Sequence, residues 1–200
     1  QVEERFGVDR PALAGLIATE TRFGTHRGKT STFNALATVA LKYERRARWA
    51  RRELAALLQV FSDDPLAVKG SYAGAVGLVQ FMPTSIQAYG VDFDGDGRVD
   101  LDGWKDALAS AANYLKKHGW KPGAPIERGK ANYRAIFRYN PSHHYARVIK
   151  ELAERFGHPG PKAARKRDAD EKPGRAPKAD KTTKKPVPPA EPAGEDGAAG

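Results

Sequence analysis

Cysteine is absent from this 200-residue chain, so these residues hold no disulfide framework, thiol nucleophile or lipid-attachment cysteine, and the redox compartment is left open. No stretch approaches the roughly 18 apolar residues that a membrane-crossing helix requires. The chain opens on Gln1 instead of methionine, which puts any export signal outside these residues. Acid is in deficit: 24 Asp and Glu stand against 34 Lys and Arg, a formal charge of +10. That balance favours a polyanionic partner, whether nucleic acid, an anionic membrane surface or a carboxylate-bearing cell wall. Nucleic acid is the least favoured, because much of the cationic density lies in the C-terminal segment and the second helical region. It is not interleaved with exposed aromatics on one face.

Aromatic residues run out after Phe156, and branched aliphatics nearly do. From Gly157 to Gly200 Pro, Ala, Lys, Asp and Glu alternate, and such a composition buries too little apolar surface to offset its ordering entropy. The expected organisation is a catalytic domain over 1–156 and a disordered Pro/Lys/Ala-rich tail over 157–200. What remains reads as mainly helical, with little strand-like alternation. Asp9 is placed to cap a helix beginning near Pro11 and Gly24 to stop it. Further periodic runs cover Phe33 to Tyr43, Leu54 to Phe61, Trp104 to Leu115 and Tyr145 to Phe156. Between them, Lys69 to Met82 and Val91 to Asp102 are rich in glycine and polar residues, where a helical scaffold tends to carry its chemistry.

Four constellations stand out. Leu13, Leu16 and Ile17 form the buried stripe of the first helix, and Glu20 falls on the same stripe. An inward carboxyl is pushed toward its neutral form by desolvation, as a general acid requires; the plain alternative is a helix-end glutamate turned to water beside Arg22. Gly70-Ser71-Tyr72-Ala73-Gly74-Ala75-Val76-Gly77, followed by Leu78-Val79-Gln80-Phe81-Met82-Pro83, allows close backbone approach. It offers an amide beside a ring, suited to an N-acetyl sugar, or else merely lets helices pack; its spacing is that of neither a phosphate loop nor a dinucleotide fingerprint. Asp92, Asp94, Asp96 and Asp100, with the Arg98 carbonyl between them, reproduce most of an EF-hand-like loop. Gly103 stands where the bidentate acid belongs, which leaves either a weak calcium site or a metal-free acidic turn. Finally, Arg138-Tyr139-Asn140-Pro141-Ser142-His143-His144-Tyr145 offers aromatic faces and hydrogen-bonding groups for a pyranose. The plain alternative is an ordinary helix start after Pro141, and the paired histidines lack the acid or cysteine spacing of a zinc site. Arg45 and Arg46 read either as a carboxylate clamp or as a solvated helix face.

Glu20-Thr21-Arg22-Phe23-Gly24, Tyr43-Glu44-Arg45-Arg46-Ala47, Asp64-Pro65-Leu66, the Ser71 to Met82 stretch, the acidic loop, Ala112-Asn113-Tyr114 with His118-Gly119-Trp120, and Arg138-Tyr139-Asn140 with His144-Tyr145-Ala146 occur in collinear order. In these blocks the chain, from about Phe6 to Phe156, resembles the lytic murein transglycosylase B family, of the glycoside hydrolase family 103 type and the lysozyme-like superfamily. The resemblance implies a lysozyme-like helical domain with a glycine-rich active-site segment and an EF-hand-like loop. It also implies cleavage of the MurNAc-GlcNAc β-1,4 bond of peptidoglycan with a 1,6-anhydromuramic acid end, Glu20 being the single acid/base. By the same carry-over Ser71, Gln80, Tyr139, Asn140 and Tyr145 orient the sugar, Phe81, Met82 and Tyr114 wall the groove, and Arg45 with Arg46 meets the stem peptide. No cofactor is implied for the chemistry, though one structural Ca2+ is open to Asp92, Asp94, Asp96, Arg98 and Asp100. The expected partners are glycan strands of the periplasm or cell envelope, with neither nucleic acid nor a membrane span. The chain departs from the family in lacking a long insertion between Trp120 and Tyr139 and the usual upstream helices, which suggests a fragment or minimal core. A hydrolytic muramidase on the same scaffold and a non-catalytic wall-binding module are the competing readings.

Overall fold

The computed structural model describes residues 1–158, so the tail expected over 157–200 lies, from 159 onward, outside the described residues. The fold runs past the change in composition: His158 is buried, its ring against Trp120 and its Nε2 3.0 Å from the Ala124 carbonyl. Helices dominate. In chain order the elements are α1 (Val2–Phe6), α2 (Arg10–Thr21), β1 (Thr30–Ser31), α3 (Thr32–Lys42), α4 (Glu44–Val60), β2 (Lys69–Gly70), α5 (Pro83–Tyr89), α6 (Trp104–Lys117), α7 (Ala131–Tyr139) and α8 (His143–Arg155). The two short strands pair antiparallel, Thr30 opposite Gly70 and Ser31 opposite Lys69.

The apolar side chains form two clusters. Leu13, Leu16 and Ile17 of α2 meet Ala112 and Leu115 of α6, Ile136 of α7 and Ile149 of α8 in the larger one. Leu36 and Ala40 of α3, Trp49 and Leu57 of α4, Ala75 and Met82 make the smaller. The glycine-rich segment stitches them together, since adjacent residues Phe81 and Met82 enter the larger and the smaller cluster respectively. α2 lies close along α8 because Gly15 has no side chain: a Cβ there would sit 3.1 Å from the Ile149 carbonyl oxygen.

The differences from the periodicity reading have local causes. Asp9 stands at the N-cap of α2, yet its side chain makes no capping bond; instead it accepts from the Trp120 indole (3.0 Å) and the Gly123 amide (3.1 Å), fastening the helix start to the loop after α6. α2 ends at Thr21, ahead of Gly24, with Arg22 and Phe23 both left-handed (φ 48° and 55°). Two hydrogen bonds hold that reversal: the buried Thr21 hydroxyl donates to the Leu78 carbonyl (3.0 Å) and accepts from the Gly24 amide (3.0 Å). α4 begins ten residues before the expected Leu54. Its first turns bury Trp49 and Ala50 while Arg45, Arg48, Arg51 and Arg52 face water, so a mean apolar signal misses them. The short helices α1, α5 and α7 give too few turns for periodicity to register. α5 is capped from a distance: the buried Glu53 of α4 accepts from the Thr84 amide (2.9 Å) and hydroxyl (2.8 Å).

Candidate active site

Glu20 lies in the last turn of α2, on the stripe that carries Leu13, Leu16 and Ile17 into the core. The inward reading of this carboxyl is the one the structure adopts. The Tyr145 hydroxyl of α8, 125 residues away in sequence, donates a hydrogen bond to its Oε1. Burial pushes the Glu20 carboxyl up to about 7, against the smaller downward pull of that tyrosine. A carboxyl with a neighbouring negative charge would be raised by that charge as well; here desolvation alone does so.

Tyrosines surround the acid. Tyr139 and Tyr145 stack with ring centroids 6.4 Å apart. Both hydroxyls are pushed well above the usual phenol range, first by burial and next by the Glu20 charge, so they act as neutral hydrogen-bond donors. Tyr139 spends its donor on the Val79 carbonyl. Behind them Tyr114 packs against Phe81 (5.8 Å), Tyr139 (4.8 Å) and the stacked ring of His118 (4.1 Å). Burial raises the Tyr114 phenol and lowers the His118 imidazole.

The glycine-rich segment supports this acid from the other side. Leu78 and Val79 present their carbonyls to Thr21 and Tyr139, so the turn 77–80 is fixed to both α2 and α7. Gly77 adopts φ +74°, and a Cβ there would come within 2.4 Å of the Leu101 Cβ and 2.5 Å of the Leu101 carbonyl oxygen. Only glycine fits that approach. Gln80, also left-handed at φ 49°, donates its amide to the Gly77 (2.9 Å) and Arg27 (3.3 Å) carbonyls. Its oxygen is left for other partners. The Ser71 oxygen accepts from the amides of Ala73 (3.3 Å) and Ala75 (3.1 Å), which leaves its hydroxyl hydrogen to give.

The other expected site residues divide into two groups. Phe81, Met82 and Tyr114 are packed at 3, 8 and 8% exposure, so they form the body behind the site more than its open wall. Asn140 caps the end of α7, partly open. Arg45 is exposed, whereas the guanidinium of Arg46 lies 4.3 Å over the Trp49 ring. That Arg46–Trp49 pair borders a cavity of about 570 Å³ that also meets Asn34, Thr38, Tyr43 and Tyr72. Asn34, Thr38 and Trp49 in this lining carry no sequence signal beyond a mixed polar and aromatic face on α3 and α4.

Of the five expected calcium ligands, Asp92 and Asp94 are brought together, and their oxygens lie within 4.8 Å of one another and of Asp106. Asp96 and Asp100 are not in that group; Asp96 accepts from the Arg98 amide (2.9 Å) and Asp100 from the Asp102 amide (2.9 Å). Asp106, on the first turn of α6, was overlooked. It is 3% exposed and accepts from the Phe93 (2.8 Å) and Asp100 (2.9 Å) amides, so it spans both ends of the loop. Three convergent carboxylates around an oxygen-rich loop fit a hard cation such as Ca2+. The loop is tied to the acid's surroundings, because the Leu78 amide donates to the Leu101 carbonyl (2.8 Å) and Arg27 pairs with Asp102 (3.2 Å).

A helical scaffold that keeps one carboxylic acid protonatable near neutrality, among phenols, has the chemistry that a general acid/base requires. The chain belongs to the family described as the transglycosylase SLT domain, whose model matches residues 1–130. It is 47% identical over 124 residues to the membrane-bound lytic murein transglycosylase B of Escherichia coli K12, a match covering 60% of this chain and 34% of that protein. The chain thus spans about a third of the length of this curated relative. Its fold is similar to that of the E. coli lytic transglycosylase SLT35 solved in complex with calcium, with a TM-score of 0.72, 33% identity, and coverage of 76% of this chain and 67% of that one. It is also similar to Pseudomonas aeruginosa SltB3 solved in complex with NAG-anhNAM-pentapeptide, with a TM-score of 0.70, 31% identity, and coverage of 78% and 58%. The mainly helical, lysozyme-like architecture expected from the sequence is the one these neighbours share.

Proposed function

We propose that this chain is a peptidoglycan lytic transglycosylase of the periplasm or cell envelope, cutting the β-1,4 bond between MurNAc and GlcNAc. The observation that carries the reading is Glu20, a carboxyl lifted to about 7 by burial and held by the Tyr145 hydroxyl. A hydrolase of the common kind needs two acids flanking the bond. One acid suffices when the nucleophile belongs to the substrate. Glu20 gives its proton to the glycosidic oxygen, which departs as the GlcNAc hydroxyl. The muramyl C6 oxygen then bonds to C1, and its proton passes to the Glu20 carboxylate, so the acid is regenerated and no water is consumed.

The relatives support the substrate: one is named a murein transglycosylase, and another was solved with a NAG-anhNAM-pentapeptide. Tyr145 holds the carboxyl in place through its hydroxyl, and Tyr139 braces the turn beside it. Ser71 and Gln80 retain a hydroxyl hydrogen and an amide oxygen to meet an acetamido group. Arg46, beside Trp49 and Tyr43, supplies a cation and aromatic faces for the peptide-bearing side of the chain, with Arg45 exposed next to it. A Ca2+ held by Asp92, Asp94 and Asp106 would neutralise three converging carboxylates and stiffen the loop that contacts Leu78. It takes no part in the proton transfers. Among the described residues no helix is long and apolar enough to cross a membrane.

The test is Glu20→Gln. Turnover of purified glycan strands falls by about 10³-fold or more, in the range of a lost general acid, while binding to insoluble peptidoglycan is retained. Unchanged turnover would remove Glu20 from the chemistry; wild-type chain that binds without cutting would favour the non-catalytic module.

A further inference from the structure

Away from the acid, one cavity is lined by cations and by no acidic side chain. It measures about 390 Å³ and is lined by Arg128, Tyr133, His143, His144, Arg147 and Lys150, from the loop before α7, α7 itself and the first turns of α8. His143 and Arg147 each stand two positions from Tyr145, about 200° around the helix. The cavity therefore faces away from the side on which Tyr145 reaches Glu20.

The polar contacts inside it are unusual. Arg128 Nη2 lies 3.2 Å from His143 Nε2, and Arg147 Nη2 lies 3.1 Å from His144 Nδ1. A guanidinium only donates, so both facing ring nitrogens must be acceptors without hydrogen. The His143 hydrogen is then on Nδ1, 2.8 Å from the Tyr133 oxygen, to which it is donated. That arrangement leaves the hydroxyl hydrogen of Tyr133, a side chain only 8% exposed, to be given to a ligand. Among the described residues Arg128 makes no ion pair, and its guanidinium meets an imidazole where a carboxylate would ordinarily sit. Arg147 has a loose pairing with Glu151 (3.8 Å), and Lys150 pairs with Glu154 (2.8 Å), both toward the far end of α8.

We propose that this cavity binds a phosphate-type oxyanion. A planar carboxylate is satisfied by one guanidinium fork, whereas a tetrahedral anion accepts from donors converging from several directions. Two guanidinium groups, an ammonium and a phenol from three segments of chain supply such a set. The volume exceeds that of one phosphate group, so the ligand is a phosphate carried on a larger molecule. The inference is independent of Glu20 and its reaction.

Calorimetric titration of the full 200-residue chain with inorganic phosphate tests it, alongside arms with a poly(glycerol phosphate) chain and with phosphatidylglycerol vesicles. Saturable phosphate binding is expected, weakened by about tenfold or more in the doubly substituted R128Q/R147Q chain, as befits the loss of charge-assisted hydrogen bonds. The circular-dichroism melt and the cutting of glycan strands should stay unchanged in that variant. Tighter binding of the polymer names the polymer as the source of the phosphate and tighter binding of vesicles names the lipid; each upholds the site. Absence of saturable phosphate binding, or equal affinity in R128Q/R147Q, overturns the proposal.

Discussion

Glu20 and Tyr145 form a coupled pair whose behaviour with pH follows from burial. Because the folded chain keeps a proton on Glu20 between the ordinary carboxyl value of 4.5 and about 7, while the unfolded chain has released it, stability is fully present below the lower value and is lost as pH rises through the upper one. Replacing Glu20 by Gln removes the ionisable group. At pH 8 the variant should be more stable than the parent by up to about 3 kcal/mol, and at pH 4 nearly equal to it, in urea unfolding curves. Tyr145→Phe deletes the donor that pulls the Glu20 carboxyl down, so the basic limb of the pH profile of kcat/KM should move to higher pH; a limb that moves down would contradict the assigned hydrogen bond. Direct titration of the Glu20 carboxyl carbon by NMR reads the same group without substrate. The stripe of Leu13, Leu16 and Ile17 offered an inward direction for Glu20 but left a helix-end glutamate turned to water open, since Glu20 stands in the last turn of α2. The residue that touches it was not legible from that stripe, since 125 positions separate the two partners; only the resemblance placed Tyr145 near the sugar.

The elements differ in how far local pattern betrays them. α3, α6 and α8 were foreseen within a few residues because an apolar stripe runs their whole length, whereas α4 was cut short by its arginines and α7 escaped notice. The glycine-rich segment was identified as chemistry-bearing, and one of its close approaches reaches outside it: Gly77 is pressed onto Leu101, from the end of the acidic loop. Gly77→Ala must therefore combine left-handed backbone strain with overlap. It should cost about 2 kcal/mol or more in denaturant unfolding and depress cutting together with it, because Leu78 carries the bond to Thr21. The acidic loop teaches a similar lesson. A twelve-residue template ended at Gly103 and could not see Asp106, which folds back from α6 onto Phe93 and Asp100. If the group binds Ca2+, the ion at a hundredfold excess over Kd adds about 2.7 kcal/mol. A chelator should then lower the Tm of the parent chain, and Asp106→Asn should abolish that sensitivity; a parent Tm indifferent to both calcium and chelator would remove the metal.

At the scale of the whole molecule, the site exists because α2, the 77–80 turn, α7 and α8 are packed around one point. No single segment contains it. The assembly of Glu20, Val79, Tyr139 and Tyr145 depends on long-range packing that no local window contains. Collinear blocks supplied what periodicity lacked, since their order constrains which elements meet. The account's central claim is that one acid works with the substrate's own hydroxyl. Digestion of purified sacculi in heavy-oxygen water, followed by mass analysis of the released muropeptides, tests this most directly. The account predicts 1,6-anhydromuramyl ends free of the isotope; reducing ends that carry it would show that water was the nucleophile.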